Sequence, residues 1–94
     1  DKPYLIFVGS VIPRKRIELL LIMLDQIGKN DLKLIICGRL EDRHYLETLR
    51  EKIKKIGLEG RVFFLGPVSP QAIPYFLNQA LAYVTASSFE GRPN

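Results

Sequence analysis

Four short and mainly apolar runs, separated by helix-like segments, constrain the fold of this chain most. The runs lie at residues 4–8, 32–37, 61–65 and 81–85, and none of them alternates apolar with polar side chains. Strands of that kind are buried on both faces, and strands that alternate with helices pair in parallel through right-handed crossovers. The pattern predicts an α/β fold, a doubly wound parallel sheet of four strands alternating with three helices.

The segments between these runs carry helical periodicity and helix boundary residues. Residues 17–27 are helical in pattern, almost wholly apolar over residues 19–24, and stop at Gly28, and glycine commonly follows a helix end. In residues 43–56 the apolar side chains recur at spacings of three and four, and Gly57 follows. The third helix is expected to begin near Ser69 and Pro70, and Pro74 is placed to shift that start by several residues.

Composition narrows the class of protein. With 94 residues, 47% hydrophobic and 26% charged, the chain is expected to be one globular domain at most, neither disordered nor of low complexity. No apolar run reaches bilayer length and no secretory leader is recognisable, so we expect a cytoplasmic location. The single cysteine, Cys37, lies in an apolar strand and is interpreted as a small core residue in a reducing compartment.

The net charge of +4 weakly favours an anionic partner, and three of the cations are adjacent. Arg14, Lys15 and Arg16 lie between the first strand and the first helix, where unpaired N–H donors and the helix dipole disfavour positive charge. A phosphate bound there would remove the conflict. The alternative is structural: Arg14 pairs with Glu18, four residues on, and the other two cations are solvated.

Glycine follows three of the four predicted strands, at Gly9, Gly38 and Gly66. The carboxyl ends of parallel strands share one edge, where ligands of doubly wound folds bind and where glycine lets backbone approach closely. The alternative is that these glycines only make tight turns. No glycine-x-glycine fingerprint and no phosphate-loop motif is present, which disfavours an NAD enzyme and a phosphate-loop nucleotidase. No nucleic-acid motif appears, and no metal-ligand spacing includes the lone His44.

Several segments, in their order and spacing, closely resemble the C-terminal half of the retaining glycosyltransferases of the GT-B fold, glycosyl transferases group 1 or family 4. They are FVGS at 7–10, PRK at 13–15, LIICG at 34–38, RVFFLG at 61–66 and SSFEGRPN at 87–94. The resemblance covers nearly the whole chain. It implies a truncated Rossmann-like domain, with residues 1–94 forming part of the C-terminal nucleotide-sugar-binding domain of a two-domain enzyme.

The resemblance also implies substrates. The donor would be a nucleoside diphosphate sugar, with no metal cofactor required. The acceptor, a glycan, a lipid or a small molecule, would bind a missing N-terminal domain, and the parent enzyme could contact a membrane peripherally. A nucleic-acid partner is not expected, and the fragment alone is expected to be inactive. The alternative function is a non-catalytic α/β interaction module that binds an acidic partner through its basic edge.

The resemblance assigns three catalytic residues. The family's diphosphate lysine matches Lys15. Ser10 stands where the family usually has an arginine, so the role of that arginine is carried over to neighbouring Arg14. Glu90 matches the first glutamate of a paired-glutamate motif and would face the donor sugar; the second, which holds the ribose, would lie past Asn94. Stabilisation of the leaving diphosphate by these cations would act mainly in the transition state.

The remaining site residues are expected to bind the donor. Pro67 and Val68 match the segment whose backbone contacts the nucleobase in the family. The strand-closing glycines supply close backbone approach to the ligand. The complete predicted donor-binding set is Gly9, Ser10, Gly38, Gly66, Pro67, Val68 and Gly91.

Overall fold

The predicted alternation of strands and helices is present in the structure, a computed structural model that describes residues 3–28 and 31–86. The elements are β1 (Tyr4–Val8), a 3-10 helix (Pro13–Lys15), α1 (Ile17–Ile27), β2 (Lys33–Cys37), α2 (Arg43–Ile56), β3 (Val62–Gly66), α3 (Ile73–Gln79) and β4 (Ala82–Tyr83). The α/β prediction with four strands and three helices is confirmed. The bounds of β1, α1 and α2 agree with the sequence prediction to the residue.

All strand pairs in the sheet are parallel, and the strand order is β3-β2-β1-β4. One transverse row illustrates the register: Tyr83 of β4 pairs with Ile6 of β1, Ile6 with Ile35 of β2, and Ile35 with Phe63 of β3. The chain moves outward from β1 to β3 and then returns to the other side of β1. The direction of the chain across the sheet thus reverses between β1 and β4, and ligands of such folds bind beyond the carboxyl ends of the strands.

The core lies between one face of the sheet and the helices α1 and α2. Successive side chains of a strand point to opposite faces, so Leu5 and Phe7 share this face. The main residues of the core are Leu5, Phe7, Leu34 and Ile36 from the sheet, Ile17, Leu20, Leu21 and Leu24 from α1, and Tyr45, Leu49 and Ile53 from α2. Each fully buried aliphatic side chain of this kind stabilises the fold by about 1.5–3 kcal/mol.

Within residues 3–28 and 31–86, the opposite face of the sheet is covered by α3 only near β1. The Tyr4 hydroxyl donates to the carbonyl of Phe76 at 2.7 Å, which joins α3 to this face, and Ile6 is fully buried. In the same row Phe63 is 38% and Tyr83 54% exposed. The expectation that both faces are covered therefore holds only in part, because a single seven-residue helix crosses to this face.

The start of β2 and both ends of β3 differ from the prediction by one residue, and two other elements differ by more. The third helix begins at Ile73 and not near Ser69, because Pro74 occupies its first turn and the preceding residues form a turn in which Ala72 N–H donates to the Ser69 carbonyl. The strand β4 contains two residues and not the five predicted. Within the part of the chain that is described, no helix is long and apolar enough to cross a membrane.

Candidate functional site

The carboxyl ends of β1, β2 and β3 are joined by backbone hydrogen bonds that continue past the strands. Gly9 N–H donates to the Cys37 carbonyl at 2.8 Å, and Gly38 N–H donates to the Gly66 carbonyl at 2.9 Å. In the loops that follow, Val11 N–H donates to the Arg39 carbonyl at 2.9 Å. The three strand-closing glycines therefore lie side by side at one edge of the sheet, as the sequence predicts.

Gly38 is required by a close approach between two loops. A Cβ atom on Gly38 would stand 1.7 Å from the carbonyl oxygen of Gly9, far inside van der Waals contact. The two loops can reach this separation only if a hydrogen atom replaces the side chain. For Gly38 the turn-only interpretation is therefore insufficient, because the residue also sets the distance between the ends of β1 and β2.

A cleft of about 340 Å³ opens above these strand ends. It is lined by Val8, Gly9, Ser10, Cys37, Gly38, Arg39, Pro67, Val68, Pro70 and Ile73. Five residues predicted to bind the donor are among them: Gly9, Ser10, Gly38, Pro67 and Val68. Gly66 is buried below the cleft. Among the described residues, the lining contains no carboxylate.

Arg39 is the charged side chain of the lining, and the sequence analysis did not single it out. Its guanidinium forms an exposed ion pair with Glu41, with Nη2 and Oε2 3.1 Å apart. A positional signal was present in the sequence. Ser10, Arg39 and Pro67 each directly follow a strand-closing glycine, and all three line the cleft.

Lys15 lies beside the cleft. Its Cε atom is 3.8 Å from the point where a Cβ atom on Gly9 would stand, so the stem of the lysine packs against the end of β1. The side chain is half-buried, whereas Arg14 and Arg16 are exposed. Among the three adjacent cations, Lys15 is the one that the fold holds against the carboxyl edge of the sheet.

The start of α1 differs from the sequence interpretation. Arg14 and Lys15 belong to the 3-10 helix, which ends at Arg16 in a left-handed conformation (φ 53°), and the acidic Glu18 occupies the first turn of α1. Arg14 and Lys15 therefore lie in the last turn of a short helix, where positive charge is favourable. Arg16 is the N-cap residue of α1, so the predicted conflict with the α1 dipole holds for Arg16, whereas Arg14 and Lys15 belong to the preceding 3-10 helix.

Tyr45 of α2 caps the N-terminus of α1. Its hydroxyl accepts a hydrogen bond from Ile17 N–H at 3.0 Å and donates to the carboxylate of Glu18. Burial, followed by the hydrogen bond to Glu18, raises the pKa of Tyr45 from 10.0 to about 12. The first amide of α1 is thus satisfied within the protein. An anion at this edge would rely on the loop backbone and on Lys15.

Cys37 is buried and forms no disulfide, as predicted. It also lies among the residues that line the cleft. Burial raises the pKa of its thiol, which keeps the sulfur neutral and weakly nucleophilic. His44 is exposed. Within residues 3–28 and 31–86, no group of three or more His, Cys, Asp or Glu side chains is placed to hold a metal ion.

Two predicted site residues, Glu90 and Gly91, lie outside the described residues. Of the predicted catalytic set, the structure therefore places Lys15 beside Gly9 and Arg14 on the exposed side of the same 3-10 helix. The predicted binding residues of β1, β2 and the β3–α3 loop share one cleft. The sugar end of the predicted site is not part of this description.

Comparison with known families identifies the chain. The family model described as glycosyl transferases group 1 matches residues 1–93. This chain belongs to that family. A comparison with curated proteins returns no match. Membership confirms the resemblance inferred from the sequence motifs and places the chain among the glycosyltransferases.

Solved structures share the fold of this group 1 chain. Anabaena HepE, in a crystal structure with UDP-glucose, matches with a TM-score of 0.85 and 23% identity over 95% of this chain and 24% of HepE. The C-terminal domain of LpcC, a glycosyl transferase group 1 family protein from Francisella tularensis, matches with a TM-score of 0.77 and 22% identity, over 94% of this chain and 48% of that domain. The chain thus spans about a quarter of HepE and half of the LpcC domain.

Proposed function

We propose that this chain is the donor-binding portion of a retaining glycosyltransferase that transfers a sugar from a nucleoside diphosphate sugar to an acceptor. The observation that carries the proposal is the cleft at the carboxyl edge of the sheet. Gly9, Ser10, Gly38, Pro67 and Val68 line it together, and Lys15 packs beside Gly9. Family membership supplies the class of enzyme.

The dimensions of the edge suit a nucleoside diphosphate. The diphosphate would lie at the end of β1, near the backbone of Gly9 and Ser10 and the amine of Lys15. The nucleobase would lie against Pro67 and Val68 after β3. Adjacent strands are about 4.8 Å apart, so β1 and β3, with β2 between them, place these two ends about 10 Å apart. That separation is comparable with the length of a nucleoside diphosphate.

The chemistry follows from charge. As the bond between the sugar carbon and the diphosphate oxygen breaks, its electron pair moves to the departing oxygen, and negative charge builds on the diphosphate. Lys15, positioned by its contact with Gly9, would stabilise this charge more strongly in the transition state than in the ground state. Arg14, on the same 3-10 helix, would add to the positive potential, and the reaction would require no metal. Glu90 would face the donor sugar.

The ligands of a similar structure support a nucleotide sugar as the donor. HepE was crystallised with UDP-glucose and also with UDP and glucose. The acceptor would bind a second, N-terminal domain of the parent enzyme, which we expect to be cytoplasmic or peripherally membrane-associated. The 94-residue chain alone would bind the donor without transferring the sugar.

Replacement of Lys15 by alanine tests the proposal. A lost charge-assisted contact to the diphosphate should weaken the binding of UDP, GDP or ADP by about 2 kcal/mol, roughly thirtyfold, in calorimetric titrations. Lys55→Ala, which removes the same charge from an exposed position on α2, is the matched control and should leave the affinity unchanged. Equal affinities of the wild-type chain and Lys15→Ala, with both folded, would contradict the proposal.

Chemical-shift mapping separates this function from the alternative, an acidic partner bound by the basic edge. Nucleotide binding should shift the amide signals of the Gly9–Lys15 loop and of Gly66 and Val68, with a preference among UDP, GDP and ADP. Shifts spread over the basic surface, without base preference and strongly reduced by salt, would support the interaction module instead.

A further inference from the structure

The strand β3 is a long and unprotected edge of the sheet. In the described part of the chain it lies at one end of the strand order, and its five residues include no charged residue and no proline. Natural proteins usually protect such edges with lysine, with proline or by keeping the strand short. The opposite edge strand, β4, is protected in this last way, because it contains only two residues.

The backbone of β3 presents a regular set of donors and acceptors on its outer side. Leu34 N–H donates to the Arg61 carbonyl at 2.8 Å, so Arg61 and Phe63 direct their backbone groups towards β2. Neighbouring residues direct theirs to the opposite side. Val62 and Phe64 therefore point two N–H and two C=O groups outward, and no described strand pairs with them. The register is regular along this stretch and shifts only after Ile36.

A groove of about 350 Å³ runs between this edge and α2. Val62 and Phe64 form its β3 side, and the Arg50 guanidinium lies 5.3 Å from the centre of the Phe64 ring. The remaining lining residues are Arg50, Glu51, Ile53, Lys54, Glu59 and Gly60. They provide two cations and two carboxylates around an apolar centre. A surface that carries both signs in equal number can complement a copy of itself.

We propose that β3 pairs in an antiparallel arrangement with β3 of a second copy of this chain, about a two-fold axis at Phe63. Val62 of each copy would then lie opposite Phe64 of the other, and the outward backbone groups would form four hydrogen bonds. Phe63 would face Phe63 of the second copy on the open face of the sheet, where its side chain is 38% exposed.

A second copy related by this two-fold axis would also lie against the groove between β3 and α2. In such an isologous contact each surface patch meets the same patch of the other copy. The side chains of Val62 and Phe64 from the second copy would border the groove, and its carboxylates would face the cations of the first. An extended peptide from another protein would use the same backbone groups but would not match the balanced charges. The pairing is independent of the proposed donor site, which lies at the carboxyl edge of the sheet.

Charge variants at Phe63 test the two-fold arrangement. Sedimentation equilibrium of the wild-type chain over a concentration series should show a monomer–dimer equilibrium. F63K and F63E should each raise the dimer dissociation constant at least tenfold, because like charges would face each other across the axis. An equimolar mixture of the two variants should dimerise again, because only the mixed pair places opposite charges at the axis.

Leu19→Lys, at an exposed apolar position on α1, is the matched control and should dimerise like the wild-type chain. Within one copy, the Lys33 amine lies 5.5 Å from the centre of the Phe63 ring, so a substitution at Phe63 also removes a contact inside the fold. Circular dichroism therefore checks that each variant is folded. A wild-type chain that stays monomeric at millimolar concentration would overturn the proposal. So would F63K or F63E variants that dimerise as well as the wild type, or a mixture that remains monomeric, which would indicate another occupant of this edge.

Discussion

At the residue scale, the contact between Gly38 and Gly9 controls how closely the strand ends meet below the cleft. We expect Gly38→Ala to destabilise the fold by about 2–3 kcal/mol or more, because the added Cβ would overlap the Gly9 carbonyl and force the loops apart. The urea midpoint of unfolding measures this effect. Gly57→Ala is the control: a Cβ there meets no atom within 4 Å, and the cost is limited to its left-handed backbone, about 1 kcal/mol. Equal losses in the two variants would contradict the close-approach interpretation.

At the element scale, the start of α1 is held by α2 through the hydroxyl of Tyr45. Tyr45→Phe removes the acceptor for Ile17 N–H and the donor to Glu18 while keeping the ring in the core. We expect a loss of about 1–2 kcal/mol in the free energy of unfolding, the usual effect of removing a buried cap or hydrogen bond. Tyr75→Phe, at a position where the ring is exposed, should change the urea midpoint little. An unchanged midpoint for Tyr45→Phe would show that this cap contributes nothing to stability.

At the scale of the whole molecule, the same tyrosine predicts how stability depends on alkaline pH. The pKa of Tyr45 is raised to about 12 in the folded chain, against 10.0 for an ordinary tyrosine. Between these values the unfolded chain loses the phenol proton first and therefore binds fewer protons than the folded chain. The contribution of Tyr45 to the free energy of unfolding is thus fully present below pH 10 and is lost as the pH rises from 10 to 12. The fall has a limiting slope of roughly 1.4 kcal/mol per pH unit for this group.

Urea unfolding at a series of pH values from 9 to 12 measures that dependence. The slope should be smaller in Tyr45→Phe than in the wild-type chain. It should not vanish, because burial also raises the pKa of Tyr4 and of the Cys37 thiol. Identical slopes for the wild type and Tyr45→Phe would contradict the assignment of the alkaline transition to Tyr45.

Local sequence patterns were sufficient to predict most of the strands and helices. The continuous apolar run of β1 and the three-and-four spacing of α2 predict the elements to the residue, because burial periodicity and terminal glycines act within a few residues. The motifs that end at Gly9, Gly38 and Gly66 identify the family and the edge of the sheet where its predicted site lies. These properties are determined by the amino-acid sequence itself.

Tertiary structure decided what depends on residues far apart in the chain. The acceptor for Ile17 N–H is 28 positions away on another helix, so the local sequence around the start of α1 did not show that this amide is satisfied within the protein. Arg39 lines the cleft, and its carbonyl accepts a hydrogen bond from Val11 N–H in the loop after β1, 28 positions earlier in the chain. Among the described residues, the side of the sheet opposite α1 and α2 carries the seven-residue α3, which follows from the return of the chain from β3 to β4 beside β1. Side-chain periodicity specifies which surface of an element is buried, whereas packing between elements selects the neighbour that covers it.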